Sequence, residues 1–229
     1  MSRPSVVAAV ITAALAGLLP AQRSAIRTVS RISPERIVAA RASTTAFRID
    51  GVLDEPLWRA VPSISSFVQQ EPIEGAPASH LTDAKMIITD DAVIIAAKLA
   101  DEPSAFLSTG NGRQPLVAAP LDDYFEVQID AHPEHLTALA LSVSPLGVRR
   151  SWIVTRDGSR DESWNVQWDA ATHIDKDGWS VEIRLPLSEL HIRPGSEDWG
   201  VHFVRFSYAR QETDVFGTRA SRATADQGR

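Results

Sequence analysis

Residues 84–99, AKMIITDDAVIIAAKL, set two apolar runs on either side of Asp90-Asp91. Two β-rich runs about a two-residue acidic turn read as a hairpin. The same texture recurs outward in both directions. In 123–130, Phe125, Val127 and Ile129 face one way while Tyr124, Glu126, Gln128 and Asp130 face the other. Leu139, Leu141 and Val143 alternate, and Pro145-Leu146-Gly147 turns the chain into Arg150, Trp152 and Val154. Trp164, Val166 and Trp168 share a face. After the turn Asp175-Lys176-Asp177-Gly178, so do Trp179, Val181, Ile183 and Leu185, and a last apolar run spans 199–208. Period two dominates, which is the spacing of strands. Helical spacing is confined to short turns at 55–60 and 187–190. Eight or more short strands at regular intervals predict an all-β fold, an antiparallel β-sandwich of the immunoglobulin or jelly-roll kind with one or two short helical turns.

Composition bounds the function. A chain of 229 residues, 44% hydrophobic and 23% charged, makes one soluble domain with a sizeable core. Its net charge of −6 argues against nucleic acid as a partner, since phosphate contacts need a basic surface. With no cysteine, disulfides, thiol catalysis and cysteine metal sites are excluded. Arg3, the apolar run 6–19 and the small residues around Pro20-Ala21 have the layout of a secretory signal peptide over 1–21. Residues 22–46 read as a linker with one short strand at 36–39, residues 47–210 as the sandwich, and the polar stretch 211–229 as a disordered tail. Residues 102–120, rich in Pro, Gly and Ser, read as a long loop.

Several segments then match one pattern in order: RIDGVLDEPLWRA (48–60), DAKMIITDDAVIIAAKLAD (83–101), LDDYFEVQID (121–130), GWSVEIRLPLSEL (178–190) and WGVHFVRF (199–206). Together they resemble the family nine carbohydrate-binding modules. The likeness is greater still to the family-nine-like domain at the N-terminus of large bacterial envelope proteins of unknown function. The resemblance implies an antiparallel β-sandwich that binds poly- or oligosaccharide, an outer-membrane or envelope partner for relatives of the second kind, and structural calcium in some members. It also implies that the I-D-G-x-x-D-E-x-x-W segment opens the sandwich with its tryptophan, here Trp58, packed inside. The residues agree: Gly51 permits a turn, Asp54 is placed to cap the helical turn, and Pro56 suits a first helical position.

A sugar needs an aromatic surface for its C–H face and fixed polar groups for its hydroxyls. Trp152, Trp164 and Trp168 lie near turns where a loop would present them, whereas Trp179 and Trp199 begin strands and go to the core. Glu126 matches a sugar-binding glutamate of family nine, and Tyr124 and Gln128 share its face. Asn165 and Gln167 stand ready on a neighbouring strand. The chain departs from the family at two places: its first stacking tryptophan falls at Pro120, and no tryptophan follows Trp199. Asp157, Asp161 and Glu162 form an oxygen-rich loop of the type calcium takes, without EF-hand spacing.

These residues predict an exported, non-catalytic carbohydrate-binding domain linked to carbohydrate catabolism. Two alternatives stand beside it. A glycoside hydrolase needs two carboxylates across a cleft, and Asp122, Asp123, Glu126, Asp161 and Glu162 are available without a spacing that selects a pair. The other is an envelope scaffold domain, as a fragment of a larger envelope protein. No nucleophile elbow, zincin helix, phosphate loop or dinucleotide fingerprint is present.

Overall fold

The structure is a computed structural model that describes residues 40–41, 47–102, 123–131, 137–155, 158–190, 192 and 199–217. All of them lie in the unit Ile32–Arg229. The expected signal peptide, most of the linker, the strand at 36–39, nearly all of the loop at 102–120 and the residues after 217 lie outside them.

Two sheets face each other. The first runs β1 (Ala40–Arg41), β3 (Thr82–Ile88), β4 (Ala92–Ala100), β10 (Gly178–Pro186) and β9 (Asp169–Asp175). The second runs β2 (Val68–Glu71), β12 (Glu212–Phe216), β11 (Gly200–Ser207), β5 (Tyr124–Asp130), β6 (Thr137–Val143), β7 (Arg149–Thr155) and β8 (Arg160–Asp161). Among the described residues all pairings are antiparallel except β1 with β3. The all-β sandwich expected from the alternation is the fold observed. The opening stretch forms the β3–β4 hairpin, whose Thr89 hydroxyl donates to the Asp91 carboxylate at the turn (2.9 Å).

Between the sheets, alternate residues of β4 (Val93, Ile95, Ala97, Leu99) and β10 (Trp179, Val181, Ile183, Leu185) meet Phe125, Val127, Leu141 and Phe203 of the opposite sheet. The other side of β4 is apolar as well: Ala92, Ile94 and Ala96 point away from this core. The segment 47–61 covers them. It contains the short helix α1 (Pro56–Ala60), with Pro56 at its start as expected. Glu55, not Asp54, occupies the N-cap, and no side chain caps the helix there.

One carboxylate fixes this cover. Glu182 of β10, fully buried, accepts hydrogen bonds from the backbone N–H groups of Asp50 and Gly51 and from the indole Nε1–H of Trp58, all at 3.0 Å. Burial pushes its carboxyl above the ordinary range, while the three donors pull against that rise. Gly51 adopts φ +84°, and a Cβ there would lie 2.5 Å from the backbone carbon of Thr172. Only glycine satisfies both conditions. Trp58, 2% exposed and 5.2 Å from the Phe47 ring, is a packing residue, as its segment predicts.

At one end of the sandwich the interior is polar. Arg205 of β11 points inward, where it meets Asp101 at 2.8 Å and donates to the carbonyls of Leu81 and Ala100. Asp214 and Glu212 of β12 come to the same region by register, and Glu212 holds the Ser79 amide and hydroxyl. Burial and the neighbouring Glu212 push the Asp214 carboxyl up to about 7. Burial also pushes on Glu212, but the Ser79 donors outweigh it and leave that carboxyl below the ordinary range. The sandwich therefore extends past residue 210, through Phe216. The expectation of a tail beginning at 211 fails because the inward residues of this strand are Glu212, Asp214 and Phe216, two of them acidic, so alternation shows no apolar stripe.

Candidate functional site

The two sheets differ in their outer faces. That of the first sheet has an apolar patch, Ile87, Ala92, Ile94 and Ala96, which the segment 47–61 covers. That of the second is polar at its centre. Register places Val204, Glu126, Ser142 and Arg150 in one row across β11, β5, β6 and β7, with His202, Gln128, Ala140 and Trp152 in the next. Tyr124, Glu126, Gln128 and Trp152 are thus brought to one face, and Tyr124 stacks on Phe206 at 5.4 Å.

This face is nevertheless buried at its centre. Glu126 and Gln128 are 2% and 6% exposed, so neither side chain lies open to solvent. The Gln128 amide donates to Glu126 Oε1 at 2.6 Å. Trp152 is no loop residue either: it sits within β7, 3% exposed, packed with Ala140 and Val154. Guanidiniums from two strands lie over its ring, Arg160 at 4.5 Å and Arg150 at 5.9 Å from the centroid. Each such contact is worth about 0.5–1 kcal/mol at an exposed site.

Beyond β8 the chain leaves the ladder. Residues 162–168 form no strand, against the alternation read there; the strand starts at Asp169. The turn is nevertheless ordered by its own contacts. Asp161 Oδ1 accepts from both the amide (2.9 Å) and the hydroxyl (2.6 Å) of Ser163, which holds its carboxyl below the ordinary value. Arg150 donates to Glu162 at 3.0 Å, tying the turn back to β7. Val166 then turns into the core and Trp168 packs against it. Trp164 does not follow them. It is 44% exposed, with Asn165 and Gln167 exposed beside it. Trp58, Trp152 and Trp179 are at most 3% exposed, and Trp199 packs against the core.

Two of the three acids of the oxygen-rich loop are engaged within the protein. Asp157 lies outside the described residues, Asp161 is engaged by Ser163, and Glu162 by Arg150. Among the described residues no group of three acids or histidines is placed to hold a metal ion. Pro120 and Asp122 also lie outside the described residues. Sequence reasoning missed Arg150 and Arg160, whose value depends on which strand carries Trp152.

Among solved structures, the chain is similar to a family nine carbohydrate-binding module from Caldicellulosiruptor kristjanssonii in complex with cellotriose. The TM-score is 0.56 at 16% identity, over 80% of this chain and 86% of that one. The module from the same organism in complex with glucose gives 0.56 at 18%, over 80% and 87%. A candidate carbohydrate-binding protein from Bacteroides uniformis ATCC 8492 gives 0.58 at 11%, over 83% and 93%. No protein-family model and no curated protein matches the sequence. The fold is that of the family nine carbohydrate-binding modules.

Proposed function

We propose that this chain is an exported β-sandwich that binds poly- or oligosaccharide without cleaving it, in the service of carbohydrate catabolism, with Trp164 as the surface on which a pyranose ring stacks. The exposure of Trp164 carries this reading. A large indole left 44% exposed costs apolar hydration unless a partner covers it, and Asn165 and Gln167 stand beside it to meet hydroxyls. The turn that presents it is pinned by Ser163 and Glu162, so little ordering entropy is lost on binding. The fold shared with modules solved with cellotriose and glucose supports the same reading. Export rests on the apolar run 6–19 that follows Arg3.

Affinity electrophoresis through gels containing xylan, cellulose derivatives and other glycans tests the proposal. The parent chain is expected to be retarded by at least one glycan. Trp164→Ala should lose that retardation, a drop of about tenfold or more in affinity. Mobility unchanged on every glycan would overturn the reading. Release of reducing sugar would replace it with a hydrolase.

A further inference from the structure

Among the described residues, the carboxylates of the edge formed by β7, β8 and the turn after them are already engaged. Glu162 is committed to Arg150, and Asp161 to Ser163. Arg160 is exposed, and among the described residues its guanidinium has no carboxylate or carbonyl partner. It is not loose, because it lies over the Trp152 ring at 4.5 Å. The Trp152 Nε1–H is buried and likewise has no acceptor among the described residues. Trp164 follows Arg160 by four residues, across a tied-down turn that leaves the last strand of the second sheet.

A guanidinium held over an aromatic ring, with N–H groups unpaired among the described residues, is a receptor for a planar anion. It forms two parallel charge-assisted bonds to a carboxylate. Beside an aromatic surface for a pyranose, the matching ligand is a sugar that carries its own carboxylate. Building on the glycan-binding reading above, we infer that the preferred ligand is an acidic glycan, with the carboxylate of a uronic acid residue on Arg160 while a pyranose ring of the same chain stacks on Trp164.

The chain's net charge of −6 gives it no general attraction for polyanions, so a preference for an acidic polymer reports a directed contact. Calorimetric titration of the whole chain against polygalacturonate and its carboxyl-reduced counterpart tests the inference, with polyglutamate as a carboxylate polymer lacking sugar rings. Polygalacturonate is expected to bind about tenfold more tightly than the reduced polymer. In Arg160→Gln that ratio should fall to about one, and Arg160→Lys, which keeps the charge without the planar fork, should fall between. Polyglutamate should not bind. Equal affinity for the acidic and reduced polymers, a ratio unchanged in Arg160→Gln, or polyglutamate binding as tightly as polygalacturonate would each overturn the inference while leaving glycan binding standing. Failure of both sugar polymers, with no other glycan bound, would remove both readings together.

Discussion

Trp58 and Trp164 show how one residue type takes two roles through its polar atom and its neighbours. Trp58 finds an acceptor for its indole N–H in Glu182 and is sealed; Trp164 stays half in water. The first outcome was legible, because Gly51 and Pro56 mark a turn into a short helix that aims the tryptophan inward. The partner was not, since Glu182 lies 124 residues away and sits among apolar residues of a strand read as core. Glu182→Ala would leave three N–H donors without an acceptor, two of them buried. Each buried unsatisfied group costs about 1–3 kcal/mol, so urea unfolding should show a loss of at least about 2 kcal/mol. Glu182→Gln keeps one acceptor oxygen and should lose less. A loss under about 1 kcal/mol in the alanine variant would mean that Glu182 does not fix the cover. Glu126 and Gln128 mark the limit at this scale: alternation put them together on the side away from the core, which is not thereby the wet side.

At the scale of elements, strands with mainly apolar inner residues were legible and the strand with mainly acidic ones was not. The β3–β4 hairpin, β5, β6 and β10 show the first pattern, as does β11 apart from Arg205. β12 shows the second, because Glu212 and Asp214 face inward beside Arg205. Residues 164–168 fail differently: Val166 and Trp168 turn inward without forming a strand, so an apolar alternation existed with no ladder to join. The inward acids of β12 have a thermodynamic consequence. The Asp214 carboxyl stands at about 7 in the fold, against an ordinary value near 3.8. The folded state therefore holds that proton more tightly than the unfolded chain does. This contribution is full below the ordinary value and is lost as pH rises through about 7. Asp214→Asn stays neutral throughout. Thermal melts should show similar melting temperatures for parent and variant near pH 4, with the variant higher by on the order of 5 °C at pH 8. A constant difference across that range would show that Asp214 does not hold the proton.

Over the whole molecule, the decisive asymmetry is between the two outer faces. The first sheet has an apolar patch covered by the segment 47–61, hooked on Glu182. The second carries its polar rows and, at its β7–β8 edge, two arginines over a tryptophan and a pinned turn that exposes another. The sandwich was legible from period-two spacing alone, whereas this edge was not, because it exists only once β7 and β8 pair. The most direct test of glycan binding at that edge is an indole ¹H–¹⁵N spectrum, in which each of the six tryptophans contributes one Nε1–H signal. Trp164→Phe identifies the signal of interest. On titration with a glycan that retards the chain, the Trp164 signal should shift to saturation while those of Trp58 and Trp179 stay in place. A Trp164 signal that does not move while a glycan binds, or that no glycan moves at all, would contradict the account.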